Sequence, residues 1–342
     1  MQRRCFLASL AAGLASSRLL AAPSTERSAA RLLTEPAQAA IERGLARLAK
    51  RQSDDGAFGS GGYSHNVAVC SLAGLAFLGN GSTPGRGAYG KELRRVLDFV
   101  EHHAQANGFV CNEGDTSHGP MYDHGFGTLF LAEAYGMTPD DSLRDRVTRA
   151  VKLIVSTQNR EGGWRYEPRP FEADLSVTIS QIMALRAARN AGVFVPNDTV
   201  EKCIDYVKRS QNADGGFMYT LQGGPSQFAR SAAGLVALYS AGIYEGDEIT
   251  RGLEYVMKHL PTEKDPNRDA HYLYGHYYAV QAMWHAGGEH WEKWYPAIRD
   301  TLVSQQKKDG AWQDLSIPGE YATAMACIIL QMPNNYLPIF QR

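Results

Sequence analysis

Cysteine is scarce and scattered. Five residues in a chain of 342, none in a C-x-x-C pair, leave no support for a zinc finger or a thioredoxin-like redox centre. A surplus of one charge is missing too. Lys and Arg number 35 against 36 Asp and Glu, a formal charge of −1, so nothing draws the chain to nucleic acid or anionic membranes in general. The N-terminal apolar run from Cys5 to Ala15 is too short to span a bilayer, and Arg18 interrupts its extension. A serine nucleophile elbow (G-x-S-x-G), a thioester string (C-G-E-Q) and a phosphate loop are all absent.

What is present begins with a leader. Residues 1–22, "MQRRCFLASLAAGLASSRLLAA", join an arginine pair to a short apolar run and then small residues. That is the pattern of a signal peptide, and Arg3-Arg4 before Phe6-Leu7 fits the twin-arginine type. Cleavage after Ala22 leaves a linker at 23–36 and one domain at 37–342, exported to the periplasm or secreted. The mature charge becomes −4, because the leader holds three arginines and no acid. Cys70, Cys111, Cys203 and Cys327 remain. Cys203 shares an apolar stripe with Val200, Ile204 and Val207, and Cys70 and Cys327 sit in apolar helical runs. Buried thiols are expected.

The dominant signal is a repeat. "RQSDDGAFGS" (51–60), "TQNREGGWRY" (157–166), "SQNADGGFMY" (210–219) and "QQKKDGAWQD" (305–314) share glutamine, glycine and an aromatic in one register. Gln158 and Gln211 are 53 residues apart, and Gln52 precedes Gln158 by twice that. The copy due at residue 105 is a shortened "QANGF"; the copy due at 264, in "PTEKDPNRD", carries no motif. Six units follow, and a fixed period of this kind outranks other fold signals. Before each glutamine runs an amphipathic helix, such as the stripes Leu93, Val96, Leu97, Val100 and Val147, Ala150, Val151, Ile154. After each motif comes a helix with no broad polar face ("NVAVCSLAGLAFLG", "RSAAGLVALYSAG"), which must be buried. In this reading the glycine supplies a left-handed turn, the glutamine bonds free carbonyls at the outer helix's end, and the aromatic covers the seam between units.

The repeat resembles the glutamine–tryptophan motif of squalene–hopene cyclases, which share a superfamily with the protein prenyltransferase β subunits. The resemblance covers roughly residues 37 to 331 and implies an all-α, α/α toroid of six inner and six outer helices. Its cavity mouth would be ringed by the N-termini of the inner helices, which favour anionic groups. Polar residues cluster there: His65, Tyr122, Asp123, His124, Glu172, Asp174, Ser176, Thr178, Arg230, His271, Tyr272, His276 and Tyr277. Asp174 and Ser176 are equally good helix caps.

Two family chemistries can be set against these residues. The cyclases protonate an alkene with an acid in D-x-D-D; here the string is Glu172-Ala173-Asp174-Leu175, so the second acid of the pair is lost. The prenyltransferases hold zinc through D-x-C; here Asp174-Leu175-Ser176 replaces the thiolate with a hydroxyl. No metal or cofactor is expected. Asp174, Glu172 and His124 are the catalytic candidates. The function expected is an exported cyclase- or prenyltransferase-like toroid that holds an apolar, isoprenoid-type ligand, its catalysis diverged or lost. Two alternatives stay open: a non-catalytic scaffold that presents its repeats to a protein partner, and a toroid acting on polysaccharide.

Overall fold

A computed structural model describes residues 31–114, 119–262, 271–317 and 319–341; the leader and the motif position at 264 lie outside them. Among the described residues, twelve α-helices alternate between two layers. The outer ones are α1 (Glu35–Arg51), α3 (Gly90–His102), α5 (Asp141–Thr157), α7 (Asn197–Arg209), α9 (Asp247–Met257) and α11 (Gly288–Gln305). The inner ones are α2 (Val67–Gly79), α4 (Pro120–Met137), α6 (Leu175–Asn190), α8 (Phe228–Ser240), α10 (Tyr272–Ala286) and α12 (Tyr321–Gln331). Each inner helix packs on the next, and α12 returns to α2, which closes the α/α toroid. No β-strand occurs among the described residues, only isolated bridges.

The layers follow from side-chain pattern. Helix α5 buries Val147, Ala150, Val151 and Ile154 and leaves its other faces to solvent. In α2 every residue except Ala68 is buried. Side-chain caps open three helices: Asn66 for α2, Asp140 for α5 and Asp174 for α6. Cys70, Cys111, Cys203 and Cys327 are all buried.

The motif joins units differently from the sequence expectation. The amide of each motif glutamine donates twice, and neither acceptor is at the end of its own outer helix. Gln211 Nε2 reaches Gly215 O (3.0 Å) in its own turn and Glu248 O (2.9 Å) in the first turn of α9, the next outer helix. Gln52, Gln158 and Gln306 repeat the bridge, the last of them onto Ala40 O of α1. The free carbonyls at the outer helix's end go instead to tryptophan: Trp164 Nε1 donates to Ile154 O (2.7 Å) and Trp312 Nε1 to Leu302 O (2.8 Å).

The motif glycine has two duties. Gly215 has φ +88°, and a Cβ there would lie 2.4 Å from Arg251 O of α9. Gly56, Gly108, Gly162 and Gly310 approach the next outer helix in the same way. This register corrects the second copy. Gly108 meets Arg149 O as its counterparts do, yet Gln105 stands one residue past the bridging position, which Ala104 occupies. Gln105 bonds Glu113 and Cys111 instead. The turn keeps its length, since Ala104 bridges Val110 as Gln211 bridges Phe217; alanine simply stands where the other copies have the bridging glutamine.

At the end of the toroid opposite the inner-helix N-termini, the C-terminal tail forms a plug. The turn Pro338–Phe340 packs on α4 and α6. Trp284 Nε1 donates to Phe340 O (3.0 Å), and Ile339 N donates to Glu133 Oε2 (3.3 Å). Glu133 is buried in α4, and burial pushes its carboxyl up to about 8, the Ile339 bond pulling the other way.

Two predictions follow from this packing. Asn212 is more than a spacer, since its amide donates to Gly224 O (3.1 Å) and Ser226 Oγ (2.9 Å). Even so, Gly215→Val should lower the urea midpoint more than Asn212→Ala. It adds about 1–2 kcal/mol of left-handed strain and a backbone clash to the seam, against about 1 kcal/mol for exposed hydrogen bonds. Glu133→Gln tests the plug. The folded chain holds a proton on Glu133 that the unfolded chain releases near 4.5, so stability falls as pH rises from there toward 8 and then levels. The variant's urea midpoint should gain on the parent's between pH 5 and pH 8; a constant difference would refute the assignment.

Candidate functional site

A repeat of inner helices that all run the same way places six first turns around one mouth. They enclose a cavity of about 390 Å³, toward the small end of ligand sites, which span about 300–1,000 Å³. Its rim comes from those first turns: Ala68, Tyr122, Ser176, Ala229, Tyr274 and Tyr321, one from each inner helix. Its floor comes from one turn deeper and is apolar: Leu72, Phe126 and Met325. Below the floor Tyr277 packs on Phe126 (6.3 Å between centroids) and closes the axis.

Five of the thirteen residues read from the sequence line this cavity: Tyr122, Asp123, Ser176, Arg230 and His271. Asp123 Oδ1 accepts from Asn66 Nδ2 (2.8 Å) and Ala68 N (3.2 Å), fastening α4 to the start of α2. The others serve the wall. His65 stands at the rim, its Nε2 3.1 Å from Asp55 and its backbone left-handed at φ +60°. Tyr272 and His276 face outward from α10: the His276 ring lies against Tyr272, Phe228 and Trp294, and burial pushes its pKa down to about 3. Glu172 is exposed and pairs with Arg165 (2.9 Å). Among the described residues no three His, Cys, Asp or Glu side chains converge as a metal site would require.

His124 has a structural post. Its Nδ1 accepts the backbone N–H of Val110 (3.1 Å). Thr178 takes Trp164 N in the same place, Ser231 takes Phe217 N, Cys70 takes Phe58 N and Thr323 takes Trp312 N. Five units thus use four kinds of hydrogen-bonding side chain to anchor the residue two positions after the motif glycine. Burial holds the His124 ring neutral, its pKa down to about 3.

Asp174 caps α6, its Oδ1 accepting Val177 N (2.9 Å). It is fully buried and does not line the cavity. Burial pushes its carboxyl up to about 6, opposed by the Val177 bond and by Arg165, whose Nε is 4.0 Å from Oδ2. Between Asp174 and the cavity stand Tyr166 and Tyr219, whose hydroxyls are 2.5 Å apart. Reading the sequence for the aromatic beside the glycines passed over this pair. Its signal was present: both tyrosines end their motif strings, 53 residues apart. Tyr274 was passed over for a different reason. "HYLYGHYY" does not reveal its helical phase, and only position 274 of its tyrosines turns to the cavity.

Residues 128–270 match the family described as the squalene-hopene cyclase C-terminal domain. No curated protein matches the chain. Among solved structures it is similar to the type II terpene cyclase MstE from Scytonema in complex with geranylgeranyl dihydroxybenzoate: TM-score 0.60, 14% identity, 89% of this chain and 98% of that one. An inactive variant of the α-1,6-mannanase of Salegentibacter sp. HEL1_6, in complex with α-1,6-mannotriose, gives TM-score 0.64 at 7% identity over 88% and 99%. An α-amylase from Clostridium perfringens gives 0.61 at 13% over 85% and 97%. At such identities the likeness is one of fold.

The anchoring role of His124 can be tested by stability. His124→Thr borrows the residue of the third unit and should keep most of the urea midpoint. His124→Leu leaves Val110 N–H buried without an acceptor and should cost about 1–3 kcal/mol. Equal midpoints for the two variants would remove the anchor.

Proposed function

We propose that this chain, which has the α/α toroid of the terpenoid cyclases and protein prenyltransferases, is exported and binds an apolar small molecule of isoprenoid type in its cavity. The observation that carries this reading is the gradient down the cavity. Polar side chains stop at the first turn of the inner helices, and Leu72, Phe126 and Met325 make a floor without a hydrogen-bonding side chain. Water on such a floor is readily displaced by an apolar chain. A sugar's hydroxyls would lose their partners there, which sets the terpene cyclase neighbour above the mannanase as a guide. Export rests on the arginine-pair leader.

Acid catalysis is not assigned to Asp174. Its carboxyl holds a proton more readily than an ordinary aspartate, but Tyr166 and Tyr219 stand between it and the ligand space. The reading is therefore one of binding, with cyclase chemistry diverged at this acid.

Mass spectrometry of the natively exported protein, released under mild conditions, tests the ligand class. An isoprenoid or similar apolar mass is expected, and Leu72→Arg, which puts a charge on the floor, should lose it. A retained hexose oligomer, or apolar ligand held equally by Leu72→Arg, would overturn the reading.

A further inference from the structure

The arginines of the outer wall meet acids one turn away: Arg94 with Asp98, Arg149 with Asp145 and Arg209 with Asp205. At the mouth, Arg165 is held by Glu172. Arg230 differs from all of these. It lines the cavity from the first turn of α8, and no carboxylate among the described residues forms an ion pair with it. Its Nη2 donates to Pro225 O (2.9 Å), and its guanidinium lies 5.4 Å from the Tyr219 ring centroid, so the group is held in place. Its Nε is buried and has no acceptor. Loss of water draws its pKa below the ordinary arginine value. The residue as a whole is only partly buried and lines the cavity, and a fixed guanidinium without a carboxylate partner there favours an oxyanion that meets its fork.

The surroundings fit such an anion. Gln227 and His271 line the cavity with Arg230, and both carry hydrogen-bond donors. The wall's carboxylate, Asp123, is on α4, two inner helices away around the ring, where its Oδ1 already serves Asn66 and Ala68. Asp123 is thus the carboxylate that lines the cavity on another arc, while Asp174 acts on Arg230 from behind the cavity wall. The guanidinium fork matches carboxylate and phosphate oxygens.

We propose that the α8 arc of the mouth, centred on Arg230, binds the anionic head group of an amphiphile, a carboxylate or a phosphate monoester, whose apolar chain lies on the cavity floor. This rests on the reading of the cavity as an apolar ligand site and adds the chemistry of the head.

Calorimetric titration of the mature protein with decanoate, decyl phosphate, decanol and decyltrimethylammonium tests it. At least one of the two anions should bind about tenfold or more tighter than decanol, and the tighter one identifies the head. Arg230→Gln should bring that anion close to decanol while leaving decanol unchanged. Arg230→Lys keeps the charge without the fork and should fall between. Decanol binding as tightly as both anions would sink the head-group site while sparing the apolar cavity. So would an Arg230→Lys that folds with the anion preference abolished, or decyltrimethylammonium binding tightest. Binding of none of the four would sink both readings.

Discussion

The structure depends on one contact repeated around the ring: in five units the motif turn is laid against the backbone of the next outer helix. The glycine lets the turn approach until no Cβ would fit, and the glutamine amide then ties a carbonyl of that helix to a carbonyl of the turn. Each bridge satisfies two backbone acceptors with one side chain, for a net contribution of about 1 kcal/mol per bond. The larger effect is geometric, since the seam sets the angle between neighbouring units. The inner helices pack in sequence until α12 returns to α2, and a ring has no end to cap, unlike an open repeat array.

Closure creates the site as a by-product of the wall. Anchoring the motif turns to a side chain at the fourth or fifth residue of α4, α6 and α8 holds the first turns at one level. The residues two positions before those anchors, Tyr122, Ser176 and Ala229, then face the axis. The ring's interior below is filled by the large side chains of α4 and α10, and the C-terminal tail covers the far end. What is left is a blind cup with one opening. Its depth, about two helical turns, is set by where Phe126 and Tyr277 meet.

Within this cup the electrostatics are uneven. The wall buries an acid at Asp174 and a neutral imidazole at His124, and neither reaches the ligand space. Among the described residues, the charged groups that do reach it are Asp123 on one arc and Arg230 on another. Low polarity on the floor strengthens the pull of either on a bound charge. A ligand is therefore oriented by its head and retained by its chain, a division of labour that suits an amphiphile better than a polymer of sugars.

The repeat was legible in the sequence because its cause is local. A left-handed turn needs glycine, a helix facing solvent needs an amphipathic stripe, and a helix inside a ring needs none, so Gly215, Val147 to Ile154 and the run from Val67 to Gly79 declared their roles by residue type. The membership of the site was only half legible. Tyr122, Asp123, Ser176, Arg230 and His271 could be placed near the mouth by their distance from a motif. Whether such a residue looks into the cavity or into the wall turns on a rotation of about 100° per residue, and no local pattern fixes that phase in a helix buried all round. His124 and Asp123 are neighbours in sequence, yet one anchors a turn and the other lines the cup. The sequence determined the units and their number; the packing of six of them about a common axis decided which side chains share the space between.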